Sequence, residues 1–155
     1  MRFLTKSKEL ENNPLLKSLM AFLLVTLILY LALDILLHHE QIGLTLSQAT
    51  NTIMGNEEEF LEPILLDTIL EHIHFDTLSS LLSLMMIAVI LIRLKPKNQK
   101  QYCIHFAFMS AILSQVALIF SFYHQGFIAI WIGLFLTWHI VAVIMGINSL
   151  WKLFK

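Results

Sequence analysis

The residues that could carry chemistry in this sequence are its histidines and the acids beside them. Seven histidines occur among 155 residues. Imidazole nitrogens and carboxylate oxygens are the ligands that zinc, iron and divalent copper accept in proteins. Five histidines fall near the ends of apolar segments, and His105 and His139 fall inside two such segments. The five are His38, His39, His72, His74 and His124.

Helical spacing predicts which of these side chains share a face. Tyr30, Asp34 and His38 follow one another at steps of four, and residues three or four apart lie on the same face of a helix. Glu71 and His74 are three apart, and His72 and Asp76 are four apart. We therefore predict a transition-metal site for zinc, iron or copper. The predicted ligands are Asp34, His38, Glu71 and His74, with His72, Asp76 and His124 as substitutes.

The strongest single indication of function is Asp34, because an ionisable group about one turn inside an apolar span is costly and usually functional. Glu71 and His74 form a Glu-x-x-His pair, but di-iron bundles need two such pairs and the chain has one. The simpler alternative is that the histidines bind water, lipid headgroups or neighbouring acids. We assign His39 and Glu40 to this alternative.

His139 needs a separate explanation, because it lies about 18 Å inside its apolar segment at the helical rise. It could join two helices through a hydrogen bond to Gln115, Ser114 or Ser110, or it could ligate haem b or relay protons. A haem held by His139 and His105 is disfavoured, since His105 lies about 7 Å closer to the opposite membrane surface. Haem propionates also seek basic side chains, which the histidine-rich side lacks.

The elements that position these residues follow from composition. Hydrophobic residues make up 57% of the chain and charged residues 14%, and the mean hydropathy is +0.75. Soluble domains carry about a quarter charged residues, so much of this surface must face lipid. We predict one membrane domain over residues 1–155, with the lipid bilayer as a partner. Nucleic acid is excluded as a partner, because no basic patch accompanies a water-soluble fold.

Four segments are long enough to cross a bilayer, because roughly 20 apolar residues span about 30 Å as a helix. They cover residues 18–37, 75–94, 102–123 and 127–150, with a loop over 38–74. Continuous apolar runs without alternation indicate helices rather than barrel strands. The predicted fold is an all-α integral membrane protein, a four-transmembrane-helix bundle. We expect the first span to be retained, since it is longer than a signal-peptide core.

Charge predicts the orientation of the bundle. All ten basic residues fall before span one, between spans two and three, or after span four, whereas nine of the eleven acids fall on the other side. Basic loops stay in the cytoplasm. We therefore predict that both termini are cytoplasmic and that the acidic loop faces the outside or the periplasm of a bacterial-type inner membrane.

The loop itself carries local signals. A loose amphipathic pattern from Thr45 to Gly55 predicts a short helix on the membrane surface. Asn56 and Glu59 have the spacing of a capping pair, and Pro63 suits the first turn of the second long helix. Cys103 is the only cysteine, which excludes a disulfide within one chain and a four-cysteine cluster.

These observations leave three hypotheses for function. The first is metal handling or redox chemistry at an outward-facing site. The second is a non-catalytic subunit or assembly factor of a larger membrane complex, or a homo-oligomer, and the third is a haem-b electron carrier. The sequence contains no catalytic triad and no phosphate-binding loop, so it does not indicate a particular enzyme reaction.

Overall fold

A computed structural model describes residues 13–94 and 101–154. They form five α-helices and no strand. The helices are α1 (Pro14–Gln41), α2 (Leu46–Met54), α3 (Leu66–Leu94), α4 (Gln101–Ser121) and α5 (Gly126–Leu153). All but the short α2 are long and apolar enough to cross a membrane. This confirms the predicted all-helical architecture with four spans, while the orientation of the termini stays a prediction.

The ends of α1 are fixed by local chemistry. The Asn13 side chain accepts a hydrogen bond from the Leu16 N–H at 3.2 Å, and Pro14 occupies the first turn. At the other end, the backbone N–H groups of Ile42 and Gly43 both donate to the His38 carbonyl. Gly43 has φ +92°, and a Cβ there would lie 2.5 Å from the Gln48 Cβ. The chain therefore turns sharply after α1 only because this residue is glycine.

The connection between α1 and α3 differs from the predicted one around Asn56. The Asn56 side chain caps a 3₁₀ turn, Glu57–Glu59, by accepting from the Glu58 N–H. Glu59 receives a hydrogen bond from the Asn51 side chain instead of turning back to Asn56. Asn56 is therefore a cap, as predicted, but Glu59 is not its partner, because the Asn56 N–H donates to the Leu61 carbonyl.

The start of α3 was also predicted too early. The helix begins at Leu66, and the preceding Ile64 N–H donates to the Thr52 carbonyl of α2. That bond holds the segment around Pro63 against α2, so the helix starts one turn later than predicted.

The bundle is centred on α5, which packs against every other α-helix, whereas α1 and α3 have little contact with each other. Gly146 allows a close approach of α1, since a Cβ at this position would lie 3.1 Å from Ile28 Cγ1. We call the end of the bundle where α1 ends and α3 begins the loop end. There, α2 buries Ala49 and Ile53 against Ile128 and Trp131 of α5. A gap lies between α1 and α3.

Candidate metal centre

Asp34 and His38 lie one helical turn apart on α1, at the edge of that gap. The side chain of His38 is 1% exposed, and its Nδ1 lies 2.9 Å from the Asp34 backbone carbonyl oxygen. A carbonyl oxygen only accepts hydrogen bonds, so His38 Nδ1 must carry the proton. This bond fixes the ring and directs Nε2 towards α3.

Asp76 of α3 is the hydrogen-bond partner of the other nitrogen of this ring. His38 Nε2 lies 2.9 Å from Asp76 Oδ2, and the Asp76 side chain is 10% exposed. Asp76 was predicted only as a substitute ligand, yet it is the acid of α3 that reaches His38. The pair joins two helices that otherwise have little contact.

His139 of α5 repeats the arrangement from the opposite side. Its Nδ1 donates to the Phe135 carbonyl at 2.9 Å, and its Nε2 lies 2.9 Å from Asp34 Oδ2. The predicted partners Gln115, Ser114 and Ser110 are therefore wrong. The two serine hydroxyls donate to carbonyls of their own helix, and the side-chain amide of Gln115 makes no hydrogen bond within the described residues.

The pairing of His139 with Asp34 was not predicted, because the depth of each residue in the membrane was counted from the end of its own apolar segment. Asp34 lies about 10 Å from the end of α1, and His139 lies about 20 Å from the start of α5. The two residues meet because α5 extends farther than α1 at the loop end, where Ile42 and α2 pack against it. Asp34 and His139 are both ionisable residues inside apolar spans, where such groups usually pair with one another. That requirement could have predicted the pair.

The hydrogen-bond geometry fixes the number of protons in the cluster. In each His–Asp pair, Nδ1 carries a proton that is already donated to a carbonyl, and 2.9 Å between Nε2 and a carboxylate oxygen requires one more. That proton sits on the imidazole or on the carboxyl group. Each pair is therefore neutral overall, which makes it tolerable in a low-dielectric interior.

Aromatic side chains of α5 hold both imidazoles in place. The Phe135 ring centre lies 4.5 Å from that of His38 and 4.2 Å from that of His139. Trp138 packs on His139 at 3.7 Å, and both Phe135 and Trp138 are buried. The imidazole rings are thus fixed on their faces by packing and at Nδ1 by hydrogen bonds.

A cleft of about 850 Å³ between α1 and α3 opens onto this cluster. Asp34, His38 and Asp76 line it together with Tyr30 and Ser79. Within the described residues, no lysine or arginine lines the cleft. The described lysines and arginine are Lys17, Arg93 and Lys152, and they lie towards the opposite ends of their helices. Among the described side chains, the two imidazoles are therefore the groups that balance the two carboxylates.

Similarity to other proteins gives no identification. No protein-family model matches this chain, and no curated protein or solved structure is significantly similar to it. The function must therefore be argued from the cluster itself.

Three side chains of the cluster meet the basic geometric requirement of a metal site. Asp34, His38 and Asp76 each offer one ligand atom, and these atoms lie within 4.8 Å of one another. Metal-binding histidines usually donate their second ring N–H to a carbonyl or a carboxylate, as His38 does to Asp34. A buried Asp/His/Asp group that could hold a metal ion is thus present.

The remaining predicted ligands lie at different distances from this group. Glu71 and His72 line the same cleft, and the His72 ring centre is 6.3 Å from that of His38. His74 is exposed and packs edge-on against Phe75. His124 is exposed and accepts a hydrogen bond from the Gly126 N–H at the start of α5. These two histidines stand outside the Asp/His/Asp group.

The residues predicted for haem are not brought together either. His105 is exposed on α4, whereas His139 is buried and bonded to Asp34. Within the described ranges, the two buried histidines, His38 and His139, each face a carboxylate. Nothing in this arrangement favours haem.

Proposed function

We propose that this protein is a small integral membrane protein that binds one divalent transition-metal ion through Asp34, His38 and Asp76, for metal handling or redox chemistry. The observation that carries the proposal is the convergence of these side chains from two helices at a buried point. His139 supports the site by holding Asp34, and it becomes a fourth ligand if the ion displaces the shared proton.

The charge of the ligands supports this function. Two carboxylates and two neutral imidazoles carry two negative charges, which one divalent ion balances. Without a metal ion, the two shared protons neutralise the same two negative charges. Ion binding therefore replaces protons without leaving a net charge inside the bundle.

The distances in the cluster support it as well. Zinc binds nitrogen and oxygen ligands at about 2.0–2.2 Å, so tetrahedral ligands lie about 3.3 Å apart. The two Nε2 to Oδ2 distances of 2.9 Å need to widen by only about 0.4 Å. Between His38 and Asp76 this widening meets little resistance, since α1 and α3 have little other contact.

The test is metal analysis of detergent-purified protein with an Asp76→Asn variant. Asparagine keeps the volume and can donate a hydrogen bond to His38 Nε2, so the fold should be retained. We expect about one bound zinc, iron or copper per wild-type chain and an affinity at least about 100-fold weaker in the variant, because a direct ligand matters more than the groups that orient ligands.

Two controls separate this effect from general changes. Asp67→Asn removes an exposed acid of the same helix, and His74→Ala removes an exposed histidine outside the group. Both variants should bind metal as the wild type does. A wild-type protein without metal, or an Asp76→Asn variant with undiminished affinity, would contradict the proposal.

A further inference from the structure

The cleft between α1 and α3 contains a second set of polar side chains that the proposed centre does not use. Glu40 of α1 and Glu71 of α3 are exposed, and His72 is half-buried. All three line the same cleft as Asp34, His38 and Asp76. They lie nearer the loop end than the buried group does.

The two sets follow each other at helical steps. His72 precedes Asp76 by four residues on α3, so the two side chains share a face about 6 Å apart along the axis. On α1, Glu40 lies beyond His38, towards the end of the helix at Gln41. Across the cleft, the ring centre of His72 lies 6.3 Å from that of His38. Ligand-bearing side chains therefore continue from the exposed end of the cleft to the buried group.

From this arrangement we infer that Glu40, Glu71 and His72 form a transient loading site through which a divalent metal ion enters the cleft from the loop end. The inference rests on the proposed function, since it concerns delivery to the same buried ligands. Three features support it: the shared cavity, the ligand chemistry of the three side chains and the lack of lysine and arginine among the described residues that line the cleft.

The electrostatics of the cleft explain why such a site would accelerate binding. A cleft lined by charges of one sign, with walls of low dielectric constant, concentrates ions of the opposite sign. Leu33, Leu37 and Phe75 provide apolar walls beside the carboxylates. Because Glu40 and Glu71 are exposed, salt should screen their attraction and slow the entry of the ion.

The experiment measures the rate of Co²⁺ binding to the purified protein by stopped-flow quenching of tryptophan fluorescence. Trp131 is a suitable reporter, since its ring centre lies 6.5 Å from that of His38. In the Glu40→Gln/Glu71→Gln variant, we expect the association rate constant at low salt to fall about three- to tenfold. Dissociation should slow in proportion, which leaves the equilibrium affinity unchanged, and salt should have a weaker effect than in the wild type.

The matched control is the Glu58→Gln/Glu62→Gln variant, which removes the same charge from exposed residues outside the cleft. Its association rate should stay close to that of the wild type. An unchanged rate in the Glu40→Gln/Glu71→Gln variant, or an equal decrease in the control, would overturn the loading site and leave the buried centre intact. A wild-type protein that binds no Co²⁺ or Zn²⁺ would instead overturn the proposed function and the inference together.

Discussion

At the scale of residues, the defining feature is a pair of buried imidazoles. The Nδ1–H group of each donates a hydrogen bond to the backbone carbonyl four residues earlier. This leaves each Nε2 available to a carboxylate from another helix. Metal-binding histidines are commonly oriented by the same kind of bond from their second ring nitrogen. In the absence of metal, the carboxylates of Asp34 and Asp76 depend on these imidazoles for their shared protons.

His139→Phe tests this dependence. Phenylalanine fills a similar volume but leaves Asp34 without its hydrogen-bond partner, and breaking a buried pair typically costs about 3–5 kcal/mol. We expect a lower thermal unfolding temperature in detergent.

The second variant, Asp34→Leu/His139→Phe, removes both members of the pair. Replacing a whole buried pair with apolar residues is often neutral or stabilising, so this variant should recover much of the lost stability. Equal destabilisation by the single and the double substitution would show that His139 acts through packing alone.

At the scale of elements, the relative position of α1 and α5 decides whether Asp34 reaches His139. The close approach occurs at Gly146, where an added Cβ would lie 3.1–3.2 Å from Ile28 Cγ1 and Cδ1. Ile28 and Asp34 are six residues apart on α1, and His139 and Gly146 are seven apart on α5. The contact at Gly146 therefore sets the spacing of the two helices within two turns of the cluster.

Gly146→Leu should disturb the cluster from this distance. Overpacking of an interior contact typically costs about 1–3 kcal/mol, and it should move α1 away from α5. We expect lower thermal stability together with weaker metal binding. Gly133→Leu, on the same helix, is the matched control, because a Cβ there would meet no atom within 4 Å. Comparable losses from both substitutions would argue against the spacing role of Gly146.

At the scale of the whole molecule, the cleft is lined at the loop end by Glu40, Glu71 and His72, and the charge pattern predicts that this end lies outside the cytoplasm. The loop end has the exposed acids Glu57, Glu58, Glu59 and Glu62, whereas Lys17, Arg93 and Lys152 lie towards the other end. Basic segments are retained in the cytoplasm during insertion. A metal ion would then enter the cleft from the outer face.

Single cysteines test this orientation. In a Cys103→Ser background, Glu58→Cys should react with a membrane-impermeant maleimide added to intact spheroplasts, because residue 58 is exposed in the loop. Lys152→Cys should react only after the membrane is permeabilised. The opposite labelling pattern would reverse the predicted topology and place the mouth of the cleft in the cytoplasm.

The sequence alone determined the four apolar helices and part of the buried group of histidines and acids. Long apolar segments have few alternatives in a bilayer, because each backbone polar group must be bonded within its own helix. The helical repeat also placed Asp34 with His38, and His72 with Asp76, since residues of one helix keep a fixed angular relation. These predictions needed no knowledge of how the helices pack.

Only the tertiary structure decided which faces meet. It brought Asp76 rather than Glu71 or His74 to His38, and it paired His139 with Asp34 of α1 instead of a residue of α4. The physical reason is that the rotation and axial offset of one helix against another come from side-chain packing, as between Gly146 and Ile28. A helical repeat contains no information about that offset.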